Sequence, residues 1–181
     1  LAALKVPTST ELKATPQPWS PQPIPEVYRK LQGEYDNFQN IVNDPAAAPQ
    51  QGTNAALISL AYFHIDDAIA RFTKVMDKFC NLPQAAKAKD GILAIYEAQN
   101  NFDAIQRTND KFIASKCGDK GTIDAAIAQN RSLNFSRANA LFAEKKYGQA
   151  AESFYRCYKT APPTDTDLPG ALYNAAVSYR L

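Results

Sequence analysis

The chain has 181 residues, of which 45% are hydrophobic, and its 20 basic and 18 acidic side chains leave a net charge of +2. This length suits one domain or two small ones, and the hydrophobic fraction is typical of a globular protein rather than a disordered one. The near-neutral charge argues against a nucleic-acid binder, and proline, glycine and amide residues interrupt the uncharged stretches before any of them could span a membrane.

Residues 1–25 are predicted to form an extended, proline-rich segment. They contain six of the 12 prolines and the only tryptophan, Trp19. Proline lacks a backbone donor and disfavours a helix at the residue before it. Two interpretations stay open. The segment is either a flexible tether or a strap that Trp19 anchors to the folded body, because a lone exposed tryptophan would be poorly placed in a linker.

Helical periodicity follows through the rest of the chain, with apolar side chains recurring at steps of three or four residues. In the first helix these are Tyr28, Leu31, Tyr35, Phe38 and Ile41, and the stretch from Asp44 to Gly52 is expected to break it. No strand-like alternation occurs. Later helices are predicted over 53–64, 66–79, 84–98, 102–115, 122–143 and 147–161, where Pro162-Pro163 ends the run, and from 168 onward.

The spacing of small and aromatic residues indicates a repeated two-helix unit. Ala138 and Ala150 lie twelve residues apart, with Tyr147 three residues before the second of them and Phe154 four residues after it. The same register returns after 37 residues (68 to 105) and after 45 (105 to 150). Small residues at a crossing let two helices approach closely, and each pair leaves an apolar flank that a neighbouring pair can bury.

The unit from Asn139 to Phe154, closed by Pro162, resembles a tetratricopeptide repeat (TPR). The small residues twelve apart, the aromatic residue before the second one and the terminal proline match the family's pattern. The units cover roughly residues 50–181, and their spacing exceeds the family's 34 residues, so longer helices or turns are expected. They are most similar to the divergent repeats of bacterial envelope lipoproteins. The periodicity predicts an all-α protein of about eight helices, and the resemblance implies that they are arranged as an α–α superhelix.

On this reading the chain divides into a tether, repeats and two half-repeats. The ranges are 1–25 for the tether, 26–49 for a leading helix, 50–83, 84–120 and 121–163 for three repeats, and 164–181 for the first helix of a fourth. That last helix would leave Leu172, Val177 and Tyr179 uncovered. We therefore expect a fragment of a longer protein, or a chain that a partner completes. The first residue is Leu1, so a removed leader is also expected.

No catalytic, metal or cofactor site is predicted. The only histidine, His64, lies beside Asp66 and Asp67 at a turn between helices, where the two carboxylates are expected to begin the next helix. One histidine and scattered cysteines do not match a metal-binding pattern, and no glycine-rich phosphate loop occurs. The sequence therefore favours a protein that is not an enzyme.

The sequence leaves open whether two of the three cysteines form a disulfide. Cys157 is expected to be a buried free thiol. Cys80 and Cys117 occupy equivalent positions of neighbouring repeats, which regular packing would hold about 10 Å apart, too far for a disulfide. The irregular repeat spacing could bring them together. A disulfide would imply an oxidising compartment.

In TPR proteins the first helix of each pair lines a concave groove that binds an extended peptide, a loop or a helix. The resemblance implies that asparagines at two groove positions hold the backbone of a ligand, since an amide can both donate and accept. The alternatives are a solvated face, or one covered by the Trp19 strap. The implied groove positions are Thr53, Asn54, Leu57, Asp90, Ala94, Glu97, Phe135, Asn139, Phe142, Tyr173, Asn174, Val177 and Arg180, and the two asparagines are Asn54 and Asn174.

The sequence thus predicts a non-enzymatic scaffold or adaptor that binds a protein or peptide partner in this groove. We expect it in a bacterial envelope assembly, in the periplasm rather than the cytoplasm, and a lipid anchor outside these residues would fit. Alternatives are a structural subunit that forms homo-oligomers through its open C-terminal repeat, or a regulatory domain of a larger enzyme. The near-neutral charge disfavours an RNA-reading repeat.

Overall fold

The structure, a computed structural model, describes residues 5–16, 18–42, 44–161 and 168–181. These residues form nine helices and no strand, so the prediction of an all-helical fold is confirmed, with one helix more than expected. The predicted stop at Pro162-Pro163 lies outside the described residues. The helices are α1 (Ser9–Lys13), α2 (Glu26–Ile41), α3 (Ala48–Ala61), α4 (Ile65–Lys78), α5 (Pro83–Ala98), α6 (Phe102–Ala114), α7 (Lys120–Ala143), α8 (Tyr147–Thr160) and α9 (Leu168–Arg180).

The chain divides into two compact units, Leu1–Ile123 and Asp124–Leu181. Within the first unit each helix from α2 to α5 packs on the next one along the chain. In addition α3 contacts α5, and α1 packs on α5. This order places α3 and α5, the first helices of two predicted pairs, next to each other.

Helix α3 begins five residues earlier than the sequence predicts, at Ala48 instead of residue 53. Pro49 does not prevent this, because it lies in the first helical turn, where its missing N–H has no partner to lose. The turn that leads into α3 begins at Asp44, whose Oδ1 accepts a hydrogen bond from the Ala46 backbone N–H at 2.8 Å. Gly52 lies inside the helix and is buried. Pro49 therefore loses no hydrogen bond here, and at Gly52 side chains of neighbouring helices pack where a Cβ would lie.

The core of the first unit lies on both sides of α3 and α5. On α4 and α6 the fully buried side chains, such as Phe72 and Phe112, lie along one face. On α5 ten of the 14 residues from Ala85 to Ala98 are buried, whereas Lys87 and Asp90 are exposed. Because most of the residues of α3 and α5 are buried, these two helices form an inner layer of this unit, with exposed side chains along one side.

The core of the second unit contains two of the small residues on which the predicted repeat is built. Ala138 of α7 and Ala150 of α8 are both fully buried, and they share a cluster with Phe154 and Ala175. Phe135 packs edge-on against Phe154, with ring centroids 5.3 Å apart. Small residues and aromatic rings thus share the core of this unit.

A polar network joins α2, α3 and α4. The Arg71 guanidinium donates to Asp36 at 2.5 Å and to Asp67 at 2.8 Å. Ser59 Oγ donates at 2.5 Å to Asp67 Oδ2, the same oxygen that accepts from Arg71, and Gln32 Nε2 donates to Ser59 at 2.6 Å. Burial raises the pKa of the Asp67 carboxyl, but the hydrogen bond from Ser59 and the nearby Arg71 outweigh this effect and hold the pKa below its ordinary value.

This network makes a pH-dependent contribution to stability. Because the pKa of Asp67 is lowered in the folded state, its stabilisation is present above the unfolded pKa of about 3.9 and is lost as the pH falls through the folded value. We expect Asp67→Asn to cost about 1 kcal/mol at pH 7, a modest figure because its side chain is 46% exposed. Urea unfolding at pH 7 and at about pH 2.5 should show this difference shrinking in acid. The control is Asp66→Asn, one position earlier, and a difference that persists unchanged in acid would contradict the assignment.

The structure joins Cys80 and Cys117 in a disulfide, with their Cα atoms 4.5 Å apart. Regular repeat packing would hold them much further apart, and the difference arises in the turn after α6. Lys116 and Gly118 have φ values of 54° and 88° there, which turns the chain back towards α4. The Gly118 backbone N–H then donates to the Cys80 carbonyl at 2.9 Å.

Candidate peptide-binding face

The N-terminal segment, here called the strap (residues 5–16 and 18–25), contains a helix that the proline pattern did not predict. Thr8 caps α1, because its Oγ1 accepts a hydrogen bond from the Glu11 backbone N–H at 3.2 Å. In return the Thr8 backbone N–H donates to the Glu11 carboxylate at 2.6 Å, and this contact lowers the pKa of Glu11. Such a reciprocal cap stabilises the first helical turn. The expectation of an extended segment throughout is therefore wrong for residues 9–13.

The first half of the strap lies over α3 and α5. Leu12, only 7% exposed, is the buried side chain of α1, which packs on α5. Ahead of it, Lys5 to Thr8 form one wall of a cleft of about 520 Å³ whose other wall is α3 and α5. The residues of α3 and α5 that line this cleft are Gln50, Thr53, Leu57, Lys87, Asp90 and Ala94. We call these six residues the α3–α5 face.

The second half of the strap is fastened to the turn between α3 and α4. Trp19 stacks on Phe63, with ring centroids 6.3 Å apart, which agrees with the anchor interpretation of the tryptophan. The Gln22 backbone N–H donates to the Tyr62 carbonyl at 2.9 Å, and His64 Nε2 donates to the Gln22 carbonyl at 2.9 Å. The single histidine therefore holds the strap in place.

The predicted groove positions of the first unit fall in two groups. Thr53, Leu57, Asp90 and Ala94 line the cleft beneath the strap. Asn54, predicted to hold a ligand backbone, instead uses its amide inside α3. Its Oδ1 accepts from Gln50 at 3.0 Å, and its Nδ2 donates to Gln51 at 3.3 Å. Glu97 is half-buried near the end of α5.

The predicted positions of the second unit are also divided. Phe135 packs in the core beside Phe154, and Phe142 packs edge-on against Tyr147 with ring centroids 5.3 Å apart. These two side chains stabilise their own unit. The remaining positions lie on α7 and α9. Of these Asn139, Tyr173 and Arg180 are exposed, while Asn174 and Val177 are half-buried.

Sequence reasoning missed the strap side of the cleft. Lys5 to Thr8 and Leu12 were treated only as part of a proline-rich segment, and Gln50 and Lys87 were not assigned to the groove. One sequence signal could have found α1, namely the pattern Thr8-x-x-Glu11 followed by Leu12, which is a helix-starting capping box. That α1 packs on α5 depends on tertiary contacts, and no local pattern encodes it.

The remaining chemistry of the described residues is limited. No cluster of three or more His, Cys, Asp and Glu residues in the described ranges could hold a metal ion. Burial raises the pKa of the Cys157 thiol, which makes it a weak nucleophile. Among the helices described, none combines the length and the apolar character needed to cross a membrane. No protein-family model, curated protein or solved structure matches the chain.

Proposed function

We propose that this chain is a TPR-like helical-repeat scaffold that binds a peptide segment of a partner protein on the α3–α5 face. The observation that carries the proposal is that this face already has a peptide segment on it, since residues 5–13 of the strap lie across α3 and α5. A face that accommodates one extended-then-helical segment has the shape to accommodate another. The stacking of successive pairs into a solenoid is part of the proposal, and it is supported by the contacts of α3 with both α4 and α5.

The side chains of the face suit a peptide. Leu57 and Ala94 offer apolar surface, Thr53 lies beside them, and Lys87 and Asp90 bring opposite charges one helical turn apart on α5. Peptide grooves combine apolar anchoring pockets with a few polar groups that fix the orientation of the ligand. Lys87 and Asp90 would thus favour a bound segment that presents a negative charge opposite Lys87 and a positive charge opposite Asp90.

We place this function in an oxidising compartment, and specifically in the bacterial envelope. The pairing of Cys80 with Cys117 supports this location, because disulfides persist in secreted and periplasmic proteins and are rare in the cytosol. The repeat spacing, similar to that of envelope TPR lipoproteins, supports it as well.

A charge exchange on the face tests the proposal. Peptides of twelve residues are selected from a random display library against the full chain, and their dissociation constants are measured by calorimetry. We expect the double variant Lys87→Asp/Asp90→Lys to weaken binding of the selected peptides about tenfold or more, because reversed charges meet the ligand's own. Net charge and helical spacing are unchanged by the exchange, but it removes the ion-pair partner of the buried Lys89, whose Nζ lies 3.1 Å from Asp90 Oδ1. A urea titration must therefore first show that the double variant is as stable as the unsubstituted chain.

The matched control is Lys74→Asp/Asp77→Lys. These residues have the same types and spacing, but they lie exposed on α4, where Lys74 contacts Asn40 and Asp77 pairs with Lys111. The control should leave peptide affinity within about twofold, since exposed pairs contribute little. Peptides that bind both variants equally well would place binding elsewhere and overturn the proposal.

A further inference from the structure

We propose that residues 5–13 act as an intramolecular ligand that closes the α3–α5 face, and that a partner peptide binds by displacing them. This inference rests on the proposed function, because it assumes that the face is a binding surface. Lys5 to Thr8 form one wall of the cleft, and α1 packs on α5 beside it. A second segment cannot occupy the same surface while the first one lies on it. Occupation by the chain itself would therefore regulate access.

The two halves of the strap are held in different ways, which makes the first half displaceable. Residues 18–25 are fixed by the Trp19 stack on Phe63 and by the two hydrogen bonds of Gln22 with Tyr62 and His64. In α1, by contrast, Leu12 is the one buried side chain. A five-residue helix has no independent stability. Residues 5–13 can thus leave the face while the second half keeps the strap attached.

The strap also indicates the chemistry of the ligand that would replace it. It presents an apolar pair, Val6-Pro7, then the capping residue Thr8, and then one helical turn in which Leu12 is buried. A competing partner segment should therefore combine a short extended stretch with a capped helical turn that carries one leucine. The ligand class is a weakly charged amphipathic peptide, not a strongly acidic or basic one.

The effective concentration of a tethered segment sets a quantitative requirement. A segment joined to its site by a short flexible linker has an effective concentration of about 1 mM at that site. To occupy the face more than about 90% of the time, the segment must bind with a dissociation constant below about 0.1 mM when it is supplied as a separate peptide. A free peptide of residues 5–16 should therefore bind a full chain whose own segment has been released.

The experiment uses the full chain with the substitution Leu12→Asp, which removes the buried anchor. A fluorescein-labelled peptide of residues 5–16 is titrated and its anisotropy recorded. We expect the variant to bind it with a dissociation constant below about 0.1 mM, and at least about tenfold more tightly than the unsubstituted chain does, since burial of one leucine is worth about a 10- to 100-fold change in affinity. The same peptide carrying Leu12→Asp should not bind.

The control is Thr10→Asp, which places the same new side chain at an exposed position of α1. It should bind the peptide as weakly as the unsubstituted chain. Hydrogen exchange at residues 5–16 is recorded for all three proteins, and Leu12→Ala replaces Leu12→Asp if circular dichroism shows a loss of helix. Fast exchange of these residues in the unsubstituted chain would overturn the inference. If residues 5–16 exchange fast in the Leu12→Asp chain but the labelled peptide does not bind to it, the inference is overturned as well, and the segment is only a structural cover.

The peptides selected from the display library separate this inference from the proposed function. If they bind the unsubstituted chain and the Leu12→Asp chain equally well, and the Lys87→Asp/Asp90→Lys exchange weakens both, the face is a binding site that the strap does not regulate. If the Lys87→Asp/Asp90→Lys substitutions weaken peptide binding to neither chain, the peptides do not bind on the α3–α5 face and the proposed function is wrong. If the selected peptides bind the Leu12→Asp chain more tightly than the unsubstituted chain, and the Lys87→Asp/Asp90→Lys substitutions weaken that binding, both the proposed function and this inference are supported.

Discussion

Reducing the Cys80–Cys117 disulfide is expected to lower the free energy of unfolding of the first unit by about 3–4 kcal/mol. The two cysteines are 37 residues apart in sequence, so the bond closes a loop of that size in the unfolded chain. Loop closure removes conformational entropy from the unfolded state, and the loss grows slowly with loop length, from about 3 kcal/mol for 15 residues to about 4.7 for 100. The folded contacts around the bond need not change for this effect to appear.

The measurement is a urea titration followed by the fluorescence of Trp19. This residue is the only tryptophan and stacks on Phe63 within the first unit, so its signal reports that unit alone. Treatment with dithiothreitol should lower the urea midpoint by about 2 M. In the variant Cys80→Ala/Cys117→Ala the reductant should have no effect, because Cys157 is a free thiol. Equal midpoints for the oxidised and reduced forms of the unsubstituted chain would refute the prediction.

The helical layout could be predicted because periodicity and breakers are local signals. The spacing of Tyr28, Leu31 and Tyr35 identifies α2, and the predicted ends of α4 to α6 agree with the structure within one or two residues. The start of α3 was missed, because Pro49 and Gly52 were interpreted from their propensities alone. Whether a glycine interrupts a helix or lets a neighbour approach depends on what packs against it, and a single sequence does not state that.

The candidate site was predictable only in part. The TPR register placed Thr53, Leu57 and Asp90 on one face of the first helices, and these side chains do line the cleft. The same register assigned Phe135 and Phe142 to a groove, whereas both pack against aromatic rings of α8. An aromatic residue on a helix face fits a core and a ligand site equally well in sequence. Only the position of its neighbours decides between them.

Replacing Gly52 by alanine is expected to destabilise the first unit by about 1–2 kcal/mol, although alanine is the better helix former. A Cβ at this position would meet Gln39 Nε2 of α2 and lie 2.6 Å from Val75 Cγ2 of α4. Both neighbours are buried, so neither side chain can swing into solvent. To accommodate the methyl group, α3 has to move away from one of the two helices that pack on it. The expected cost of such overpacking, about 1–3 kcal/mol or somewhat more where two neighbours clash, exceeds the gain of about 1 kcal/mol in helix propensity.

Gly33→Ala provides the matched control, because Gly33 is exposed on α2 and a Cβ there would meet nothing within 4 Å. It should stabilise the unit by about 0.5–1 kcal/mol, the ordinary gain from removing a helical glycine. Trp19 fluorescence in urea gives the change in the free energy of unfolding for each variant. If Gly52→Ala destabilises the unit while Gly33→Ala stabilises it, the cost arises where α2, α3 and α4 pack together. If Gly52→Ala stabilised the protein as Gly33→Ala does, α3 could not be packed between Gln39 and Val75. The α3–α5 face, which depends on the position of α3, would then need a different arrangement.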